Sequence, residues 1–333
     1  MQTQQPLVIL TGPTAVGKTA LSVQLAKQIG GAVLSADSMQ VYKYMDIGSA
    51  KITPDEMQGV RHYLIGELMP DEPFSVARFQ QYAKKYIQEI YQNGQIPIIA
   101  GGTGFYIQSV LYDIDFFEQE TDGAIRKELE QEALNKGAAY LHSRLAAVDP
   151  ASAQAIHANN VKRVIRALEF YRLTGRRISE HNEKERKKTS PYRFAYFVLN
   201  DDRAHLYAAI ERRVDQMFAN GLVAEVKKLK EMGYTPDMVS MQGLGYKELF
   251  PYFSGECTLA QAADLIKRDT RHFAKRQLTW FRREKDVIWL NKEMFSYDND
   301  KILSYMNAIL REKGITNSYD GTKEQSGQTV LHV

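Results

Sequence analysis

Short apolar runs alternate with amphipathic stretches in the first third of the chain. The predicted strands are Leu7–Leu10, Gly31–Ser35 and Ile96–Ala100, and each is followed by a polar or glycine-rich turn. Val76–Gln92 predicts a helix because its apolar residues recur every three or four positions. Strands that alternate with helices indicate a parallel sheet covered by helices, and ligands of such sheets bind at the carboxyl ends of the strands.

The pattern changes after Phe117. Thr121–Leu145 and Asn160–Leu173 predict amphipathic helices with no strand between them, and the apolar run Phe194–Leu199 predicts a return to the sheet. We therefore interpret the middle of the chain as a helical insertion. The predicted domains are an α/β core at residues 1–118 and 191–315, a helical insertion at 119–190 and a disordered tail at 316–333.

The last third of the chain is predicted to be mostly helical. We predict helices at Ala204–Asn220, Val223–Met232, Gly245–Phe250 and Leu259–Lys285, and a short closing strand at Val287–Leu290. The polar residues that follow are typical of disorder because they cannot bury enough apolar surface.

The composition is that of an ordinary globular protein and excludes several classes. Of the 333 residues, 44% are hydrophobic and 25% are charged, and the net charge is +3. A single cysteine, Cys257, excludes a disulfide framework and a cysteine-rich metal site. No apolar run is long enough to predict a membrane span, and the N-terminus lacks the pattern of a secretory signal. We expect a cytoplasmic protein.

The strongest local motif lies between the first predicted strand and a helix predicted at Ala20–Ile29. The segment Gly12-Pro13-Thr14-Ala15-Val16-Gly17-Lys18-Thr19 fits the phosphate-binding P-loop pattern G-x-x-x-x-G-K-[ST]. In this setting backbone N–H groups form an anion cradle, Lys18 adds a charge for a terminal phosphate and the Thr19 hydroxyl is placed for Mg²⁺. The motif predicts a phosphorylated ligand but does not identify it as a nucleotide.

Two further strand ends carry candidate chemistry. Asp37 follows the second strand, where a carboxylate either accepts a proton from a nucleophile or caps a helix. The third strand ends in Gly101-Gly102-Thr103-Gly104, where an ATPase usually has an acid that helps to hold Mg²⁺. The glycines favour either a second anion contact or a turn that needs them for its geometry. The missing acid argues against nucleotide hydrolysis.

Two segments are strongly basic although the whole chain is nearly neutral. Val161–Lys188 has ten Lys or Arg against four Glu, and Lys267–Lys285 has eight basic residues against two acidic ones. In the second segment basic residues recur at helical spacing, with amide and aromatic side chains between them. This pattern is typical of a helix face that binds a phosphate backbone and exposed bases, or simply of a solvated face.

Three arginines, Arg203, Arg212 and Arg213, are candidates for a diphosphate clamp, but the sequence alone does not place them in the site. The histidines at 142, 157, 181, 205 and 272 lack metal-ligand spacing. No Ser/His/Asp arrangement is legible.

Six motifs occur in a fixed order: GPTAVGKT, SADSMQVY, GGTGFY, VKRVIRALE, GLGYKE and AKRQLTWFR. Together they resemble the tRNA dimethylallyltransferases, also called tRNA isopentenyltransferases, over residues 7–292. The length and the lack of a C-terminal zinc finger resemble the bacterial form. The resemblance implies an α/β fold with a P-loop NTPase-like parallel sheet flanked by helices, an inserted all-helical domain and a helical C-terminal part.

The resemblance also implies the reaction. The family transfers a dimethylallyl group from dimethylallyl diphosphate to N6 of the adenosine 3′-adjacent to the anticodon, in tRNAs that read codons beginning with U, and releases diphosphate. The implied partners are a tRNA anticodon stem-loop, dimethylallyl diphosphate and Mg²⁺, with no membrane, and we expect a monomer. The P-loop then holds the diphosphate of a leaving group rather than ATP.

Site residues follow from the same resemblance. It implies catalytic roles for Asp37, Thr103, Lys18 and Arg213, diphosphate binding by Gly12–Thr19, and metal binding by Thr19. The implied tRNA-binding residues are Asp37, Ser38, Met39, Gln40, Thr103, Arg126, Lys162, Arg163, Arg166, Gln242, Gly245, Tyr246, Lys247, Lys275, Arg276, Gln277, Thr279, Trp280 and Arg282. One position departs from the family, which often has an arginine where this chain has Ala209, so the identity of the clamping arginine stays open.

Three alternatives remain from the residues themselves. A P-loop kinase for a small molecule or nucleotide would use Asp37 as the acceptor's base. A non-catalytic RNA-binding protein would need only the basic helices. Prenylation of free adenine nucleotides is disfavoured because a small acceptor needs neither basic segment.

Overall fold

The computed structural model describes residues 4–116 and 123–316, and its centre is a parallel sheet. The strands are β1 (Gln5–Thr11), β2 (Gly31–Ala36), β3 (His62–Tyr63), β4 (Ile96–Gly101), β5 (Tyr192–Asn200) and β6 (Val287–Asn291). They lie in the order β3-β2-β4-β1-β5-β6, and every neighbouring pair is parallel. The predicted α/β class is confirmed, and the carboxyl ends of β1, β2 and β4 lie side by side.

Helices make up most of the remaining described chain. They are α1 (Lys18–Ile29), α2 (Pro54–Met57), α3 (Val76–Gln92), α4 (Gly104–Leu111), α5 (Ala124–Lys136), α6 (Ala138–Val148), α7 (Pro150–Ala155), α8 (Val161–Thr174), α9 (Ile178–Arg186), α10 (Arg203–Ala219), α11 (Leu222–Glu231), α12 (Phe250–Phe253), α13 (Leu259–Phe281) and α14 (Asn299–Glu312). Within the described ranges, none of these helices combines the length and apolarity that a membrane crossing requires.

The chain divides into two compact units. Unit one consists of Met1–Ser75, Gln81–Ile107 and Tyr192–Val333, and unit two consists of Val76–Gln80 and Gln108–Pro191. The predicted tail, apart from Thr316, lies outside the described residues, as do residues 117–122 at the predicted start of the insertion.

The core of unit one lies on the sheet and explains its apolar strands. β1 and β5 are interior strands whose side chains are buried on both faces, so the sequence shows continuous apolar runs rather than alternation. Val8, Leu10 and Phe197 pack in one cluster with Leu25 of α1 and Met306 of α14, and all five are buried. This packing holds the start of α1 against the ends of the strands.

Unit two has its own apolar core, formed by helices alone. Leu129, Leu141, Leu145 and Val164 are buried together. The described part of the single helix predicted at Thr121–Leu145 is instead two helices, α5 and α6. Gly137 separates them with φ +86° and ψ 163°, a conformation that is essentially restricted to glycine.

The segment predicted as a helix at Gly245–Phe250 is also different. Gly245 has φ +91°, which is incompatible with a right-handed helix. A 3₁₀ turn at Lys247–Leu249 follows and leads into the short α12. The long helix predicted to Lys285 ends at Phe281.

Candidate active site

The P-loop joins β1 to α1 as the motif predicts. Gly17 has φ +102° and immediately precedes α1, and Ala15 also has a positive φ of 64°. Ala15 is unusual because an alanine in this region carries backbone strain, which is typical of ligand-binding turns. The turn directs the first residues of α1, Lys18 and Thr19, toward a cleft at the carboxyl ends of the strands.

An open cleft lies at this edge of the sheet, within unit one. The P-loop contributes Thr14, Lys18 and Thr19 to its walls, and the chain after β2 contributes Asp37 and Gln40. The structure therefore brings the two predicted motifs together. A cleft at the ends of parallel strands is the expected ligand position for this fold.

Lys18 is half-buried in the cleft, and its environment changes its acidity. Its Nζ donates a hydrogen bond of 2.7 Å to the backbone oxygen of Pro13. Burial lowers the pKa of Lys18 to about 7, the nearby charge of Arg213 lowers it further, and Asp37 opposes the shift. The Lys18 amine therefore lies in a partly desolvated position beside a second cation, which favours a bound anion that restores the ammonium form.

Arg213 is the arginine that the structure places in the cleft. Burial lowers its pKa, and the carboxylates of Asp37 and Glu56 raise it. Of the other two candidates, Arg203 lies over the ring of Tyr207 at 5.1 Å, and Arg212 is exposed. Ala209 lies four residues before Arg213 on α10, and therefore on the same face of the helix.

Asp37 caps a turn rather than a helix. Its Oδ1 accepts hydrogen bonds from the backbone N–H groups of Met39, at 2.8 Å, and Gln40, at 3.3 Å. No helix starts after Asp37, so the alternative that Asp37 caps a helix is wrong. Within the described residues, Oδ2 has no hydrogen-bond partner. One carboxylate oxygen thus orients the group, and the other is available for chemistry.

The glycines after β4 are required by close packing. A Cβ on Gly101 would overlap the backbone oxygen of Ala36, and a Cβ on Gly102 would overlap Nε2 of Gln277. Neither glycine has a positive φ, so close approach and not backbone conformation requires them. Thr103 immediately precedes α4, and its N–H donates to Ala36 O at 3.1 Å. Gly101 and Gly102 line the cleft, and Thr103 is not among the described lining residues.

Gln40 is held by a hydrogen-bond network beside Asp37. Its Oε1 accepts from the Ser35 hydroxyl at 3.0 Å, and its Nε2 donates to Ala50 O at 3.2 Å. The side chain therefore has a fixed orientation in the cleft wall. Ser38 and Met39, the other residues predicted in this turn, are half-buried.

A half-buried carboxylate that the sequence analysis missed supports the neighbouring loop. Glu225 of α11 accepts hydrogen bonds from the N–H groups of residues 46–48 at 2.8–3.1 Å and from the Tyr246 hydroxyl at 2.8 Å. Tyr246 is fully buried, and its oxygen accepts from Ser49 N. In this structure Tyr246 packs the loop, and its contact with tRNA stays a prediction. No local pattern marks Glu225, because its backbone partners at residues 46–48 lie about 180 positions away.

The GLGYKE motif, Gly243–Glu248, and the residue before it divide between surface and interior. Gln242 is exposed and Lys247 is half-buried, whereas Gly245 is buried and its N–H donates to Glu248 at 2.9 Å. The motif therefore combines packing positions with accessible ones.

Helix α13 presents two faces. The predicted tRNA-binding residues Lys275, Arg276, Thr279 and Arg282, at its C-terminal end, are exposed. Gln277 faces inward and lines the cleft. Trp280 lies against Gly104, and its ring contacts Phe105 edge to face at 6.1 Å.

The predicted tRNA-binding cations of unit two lie on two helices. Lys162, Arg163 and Arg166 are exposed on α8. Arg126 of α5 binds Glu169 through Nε at 3.2 Å and Nη2 at 2.6 Å. Glu169 is buried and also lies 3.6 Å from Arg166, so it fixes the position of two of the predicted cations.

His62 is a cleft residue that the sequence analysis did not consider. Its Nδ1 lies 2.9 Å from the backbone oxygen of Val60, which can only accept, so Nδ1 carries the proton. Burial lowers the pKa of His62 and favours the neutral ring. Its Nε2 is buried without a hydrogen-bond partner in the described part of the chain. The strand that places it, β3, has only two residues and leaves no periodic signal.

The few oxygen donors in the cleft suit a metal ion that is held mainly by the phosphates of a substrate. No group of three or more His, Cys, Asp or Glu side chains in the described ranges could enclose a metal ion. Thr19 places one exposed hydroxyl on the cleft wall. Mg²⁺ is commonly bound by few protein oxygens, several waters and substrate phosphates, so the residues present fit Mg²⁺.

Comparison with known proteins identifies close relatives. A family model described as IPP transferase matches residues 40–284. A tRNA dimethylallyltransferase of Lachnoclostridium phytofermentans is 61% identical over 311 residues, which cover 93% of this chain and 99% of the relative. One from Acetivibrio thermocellus is 50% identical over 309 residues, covering 93% and 98%.

Similar solved structures agree with these sequence comparisons. A tRNA isopentenylpyrophosphate transferase from Bacillus halodurans is 44% identical with a TM-score of 0.70 and covers 93% of this chain and 98% of its own. A eukaryotic dimethylallyltransferase described as acting on tRNA is 28% identical with a TM-score of 0.81, covering 92% and 80%. The likeness extends over nearly the whole chain and includes the P-loop NTPase-like core.

Proposed function

The chain belongs to the IPP transferase family, and from this membership we propose that it is a tRNA dimethylallyltransferase. It transfers a dimethylallyl group from dimethylallyl diphosphate to N6 of the adenosine 3′-adjacent to the anticodon, in tRNAs that read codons beginning with U. The C–O bond to the diphosphate breaks, the N6–C bond forms, and N6 loses a proton. The relatives named above give no support to a P-loop kinase.

The diphosphate is the ligand of the P-loop in this proposal. Gly12–Thr19 wraps around it and directs backbone N–H groups toward it; Pro13 has no N–H, and the N–H of Thr14 donates to Gln277. Lys18 and Arg213 offset its charge. Both cations lie in the cleft, where burial has already lowered their pKa values. Charge that grows on the leaving group is therefore met by groups that need no reorganisation.

Asp37 accepts the proton that N6 loses. The adenine amine is a weak nucleophile, so a carboxylate beside it assists the attack. Oδ1 is fixed by the turn, which leaves Oδ2 to receive the proton. We assign Gln40 and its turn to the flipped-out adenine. The base must leave its stack, which costs a few kcal/mol and is easier in a loop than in a duplex.

Mg²⁺ would be held by the Thr19 hydroxyl and by the oxygens of the diphosphate. When bound, it supplies positive charge that stabilises the departing diphosphate. The protein's own contribution is to hold the diphosphate against Lys18 and Arg213 and to limit water around the allylic carbon. Ile52, Ile65 and Phe273 give the cleft its apolar wall.

Two exposed groups of cations are assigned to the anticodon stem-loop. One is the outward face of α13, with Lys275 and Arg276, together with Arg282 immediately after the helix. The other is α8 in unit two, within the insertion at residues 119–190. Phosphate contacts from such cations supply affinity that depends on salt.

The observation that carries the proposal is a P-loop lysine that shares one cleft with a carboxylate at the end of β2. The test is mass spectrometry of tRNA incubated with the protein, dimethylallyl diphosphate and Mg²⁺. We expect one added dimethylallyl mass on the adenosine beside the anticodon, and none when ATP replaces the prenyl donor. If that adenosine gains no mass, the proposed function is wrong.

A further inference from the structure

Gln277 lies between the P-loop and the loop that follows β4. Its Oε1 accepts a hydrogen bond of 2.8 Å from the backbone N–H of Thr14. Its Nε2 donates a hydrogen bond of 3.0 Å to the backbone oxygen of Gly102. The residue is only 6% exposed, and both partners are backbone groups. A primary amide fits this place because it accepts on one side and donates on the other.

The loop after β4 is shaped to receive this amide. Any side chain at Gly102 would overlap Nε2 of Gln277, as the geometry of the site shows. The backbone oxygen of Gly12 is also close, at 3.6 Å from the position that a Cβ on Gly102 would occupy. Gln277 therefore joins two loops of the cleft that come from β1 and β4.

Gln277 also differs from its neighbours on α13. Lys275, Arg276 and Thr279 are exposed and accessible to a large partner. The amide of Gln277 is already paired on both sides and points away from that surface. A contact with RNA would require these bonds to be broken at a cost typical of buried polar groups.

We infer that Gln277 is a positioning residue of the diphosphate cradle and not a tRNA contact. The inference rests on the proposed function, in which a diphosphate occupies the P-loop. Gln277 fixes the Thr14 peptide and so sets the direction in which the adjacent N–H groups of the P-loop point. A diphosphate is bound by several such groups at once, so a small rotation of one peptide weakens the whole cradle.

The first test replaces Gln277 by methionine. Gln277→Met keeps the length and packing of the side chain but makes neither hydrogen bond. We expect the Kd for pyrophosphate with Mg²⁺, measured by calorimetry, to rise about tenfold, the equivalent of one lost buried hydrogen bond. We expect the KM for dimethylallyl diphosphate to rise similarly, while the Kd for an anticodon stem-loop changes less than about twofold, because no phosphate contact is lost.

A second variant approaches the same contact from the other side. Gly102→Ala displaces the end of the Gln277 side chain without altering Gln277, and the alanine needs no positive φ. Since the displaced atom is the tip of a flexible side chain, this variant is expected to fold, and a melting curve checks it. It should weaken pyrophosphate binding while tRNA binding is retained.

The matched control is Lys275→Gln, on the exposed face of the same helix. It should weaken binding of the stem-loop and leave pyrophosphate affinity in the absence of RNA unchanged. The inference is overturned if folded Gln277→Met or Gly102→Ala binds pyrophosphate as tightly as the wild type, or if either loses stem-loop affinity as Lys275→Gln does. Pyrophosphate binding needs no turnover, so it separates this inference from the prenylation assay that tests the proposed function.

Discussion

Lys18 is a lysine whose charge depends on pH near neutrality. Burial, then Arg213, lowers its pKa to about 7, so the free site loses its ammonium as the pH rises through 7. An anion binds the charged form, and binding at pH 8 therefore takes up about one proton at Lys18. We predict that pyrophosphate affinity falls as the pH rises above 7 and that calorimetry in buffers of different ionisation enthalpy detects this uptake.

Lys18→Arg is the control for this prediction because arginine stays charged over the same range. The ionisation of the ligand itself is common to both proteins, so their difference reports the lysine. Equal proton uptake by the two proteins at pH 8 would show that Lys18 is already fully charged in the free site.

Asp37 has two separable roles, one for each carboxylate oxygen. Asp37→Asn retains an oxygen that accepts from Met39 and Gln40, but an amide cannot take a proton. We predict that kcat falls about a hundredfold or more, the usual scale for a general base, while the affinity for tRNA is unchanged. Single-turnover prenylation and filter binding measure the two quantities.

Asp37→Ala removes both roles and gives the comparison. If Asp37→Asn turned over at nearly the wild-type rate while Asp37→Ala did not, the carboxylate would serve the turn and not proton transfer. A parallel loss of tRNA affinity in Asp37→Asn would instead make Asp37 chiefly a binding residue.

At this scale, the sequence predicts residues whose signal is local. Lys18 and Asp37 were found because a motif or a strand end lies beside them. His62 was not found because β3 has only two residues and leaves no periodic signal. Glu225 was not found because its backbone partners at residues 46–48 lie about 180 positions away. Arg213 could not be separated from Arg203 and Arg212 because that choice depends on which face of α10 meets the cleft.

At the scale of elements, the loop at residues 46–49 is held by contacts with residues far along the chain. The Tyr246 hydroxyl donates to Glu225 at 2.8 Å and accepts from Ser49 N at 3.1 Å. Tyr246→Phe leaves both groups without this partner in a partly buried place. We predict that the free energy of unfolding in urea falls by about 1–3 kcal/mol, the usual cost of such a loss.

Tyr305→Phe is the control for Tyr246→Phe, because Tyr305 is 44% exposed on α14. Loss of the Tyr305 hydroxyl should change the free energy of unfolding little, since substitutions at exposed positions usually change it by no more than about 0.5 kcal/mol. Equal stability of Tyr246→Phe and wild type would mean that water satisfies both groups and that the loop does not depend on the tyrosine.

Helices with a long apolar periodicity are predicted well from the sequence. Segments whose structure depends on the backbone conformation of single residues are predicted poorly. The prediction of α3 at Val76–Gln92 is confirmed to the residue, because its stripe extends over many turns. The helix predicted at Gly245–Phe250 is wrong because Gly245 takes a positive φ and neighbouring side chains bind the loop. α14 was missed altogether, although its apolar residues cover the core of unit one.

For the molecule as a whole, the parallel sheet followed from alternating strands and helices, but the order of its strands did not. Strand order depends on pairings such as Val8 with Ile98 and Val8 with Ala195, which no local pattern encodes. The distribution of charge is a second property of the whole molecule. It can be recognised in the sequence because the basic residues cluster in two segments. Its use in binding depends on which of them the fold leaves exposed.

The last prediction concerns the exposed cations of α13. Affinity for RNA depends on the sum of phosphate contacts over the whole molecule, so each cation should contribute a measurable part of it. Arg276 is exposed and lies over the ring of Phe273 at 5.7 Å, which orients it without neutralising it. We predict that Arg276→Ala weakens stem-loop binding and lowers the slope of log K against log salt by about 1. Arg311→Ala on α14, also exposed, should leave both unchanged. An unaltered slope in Arg276→Ala would place the RNA elsewhere, since the loss of a phosphate contact must release fewer counterions.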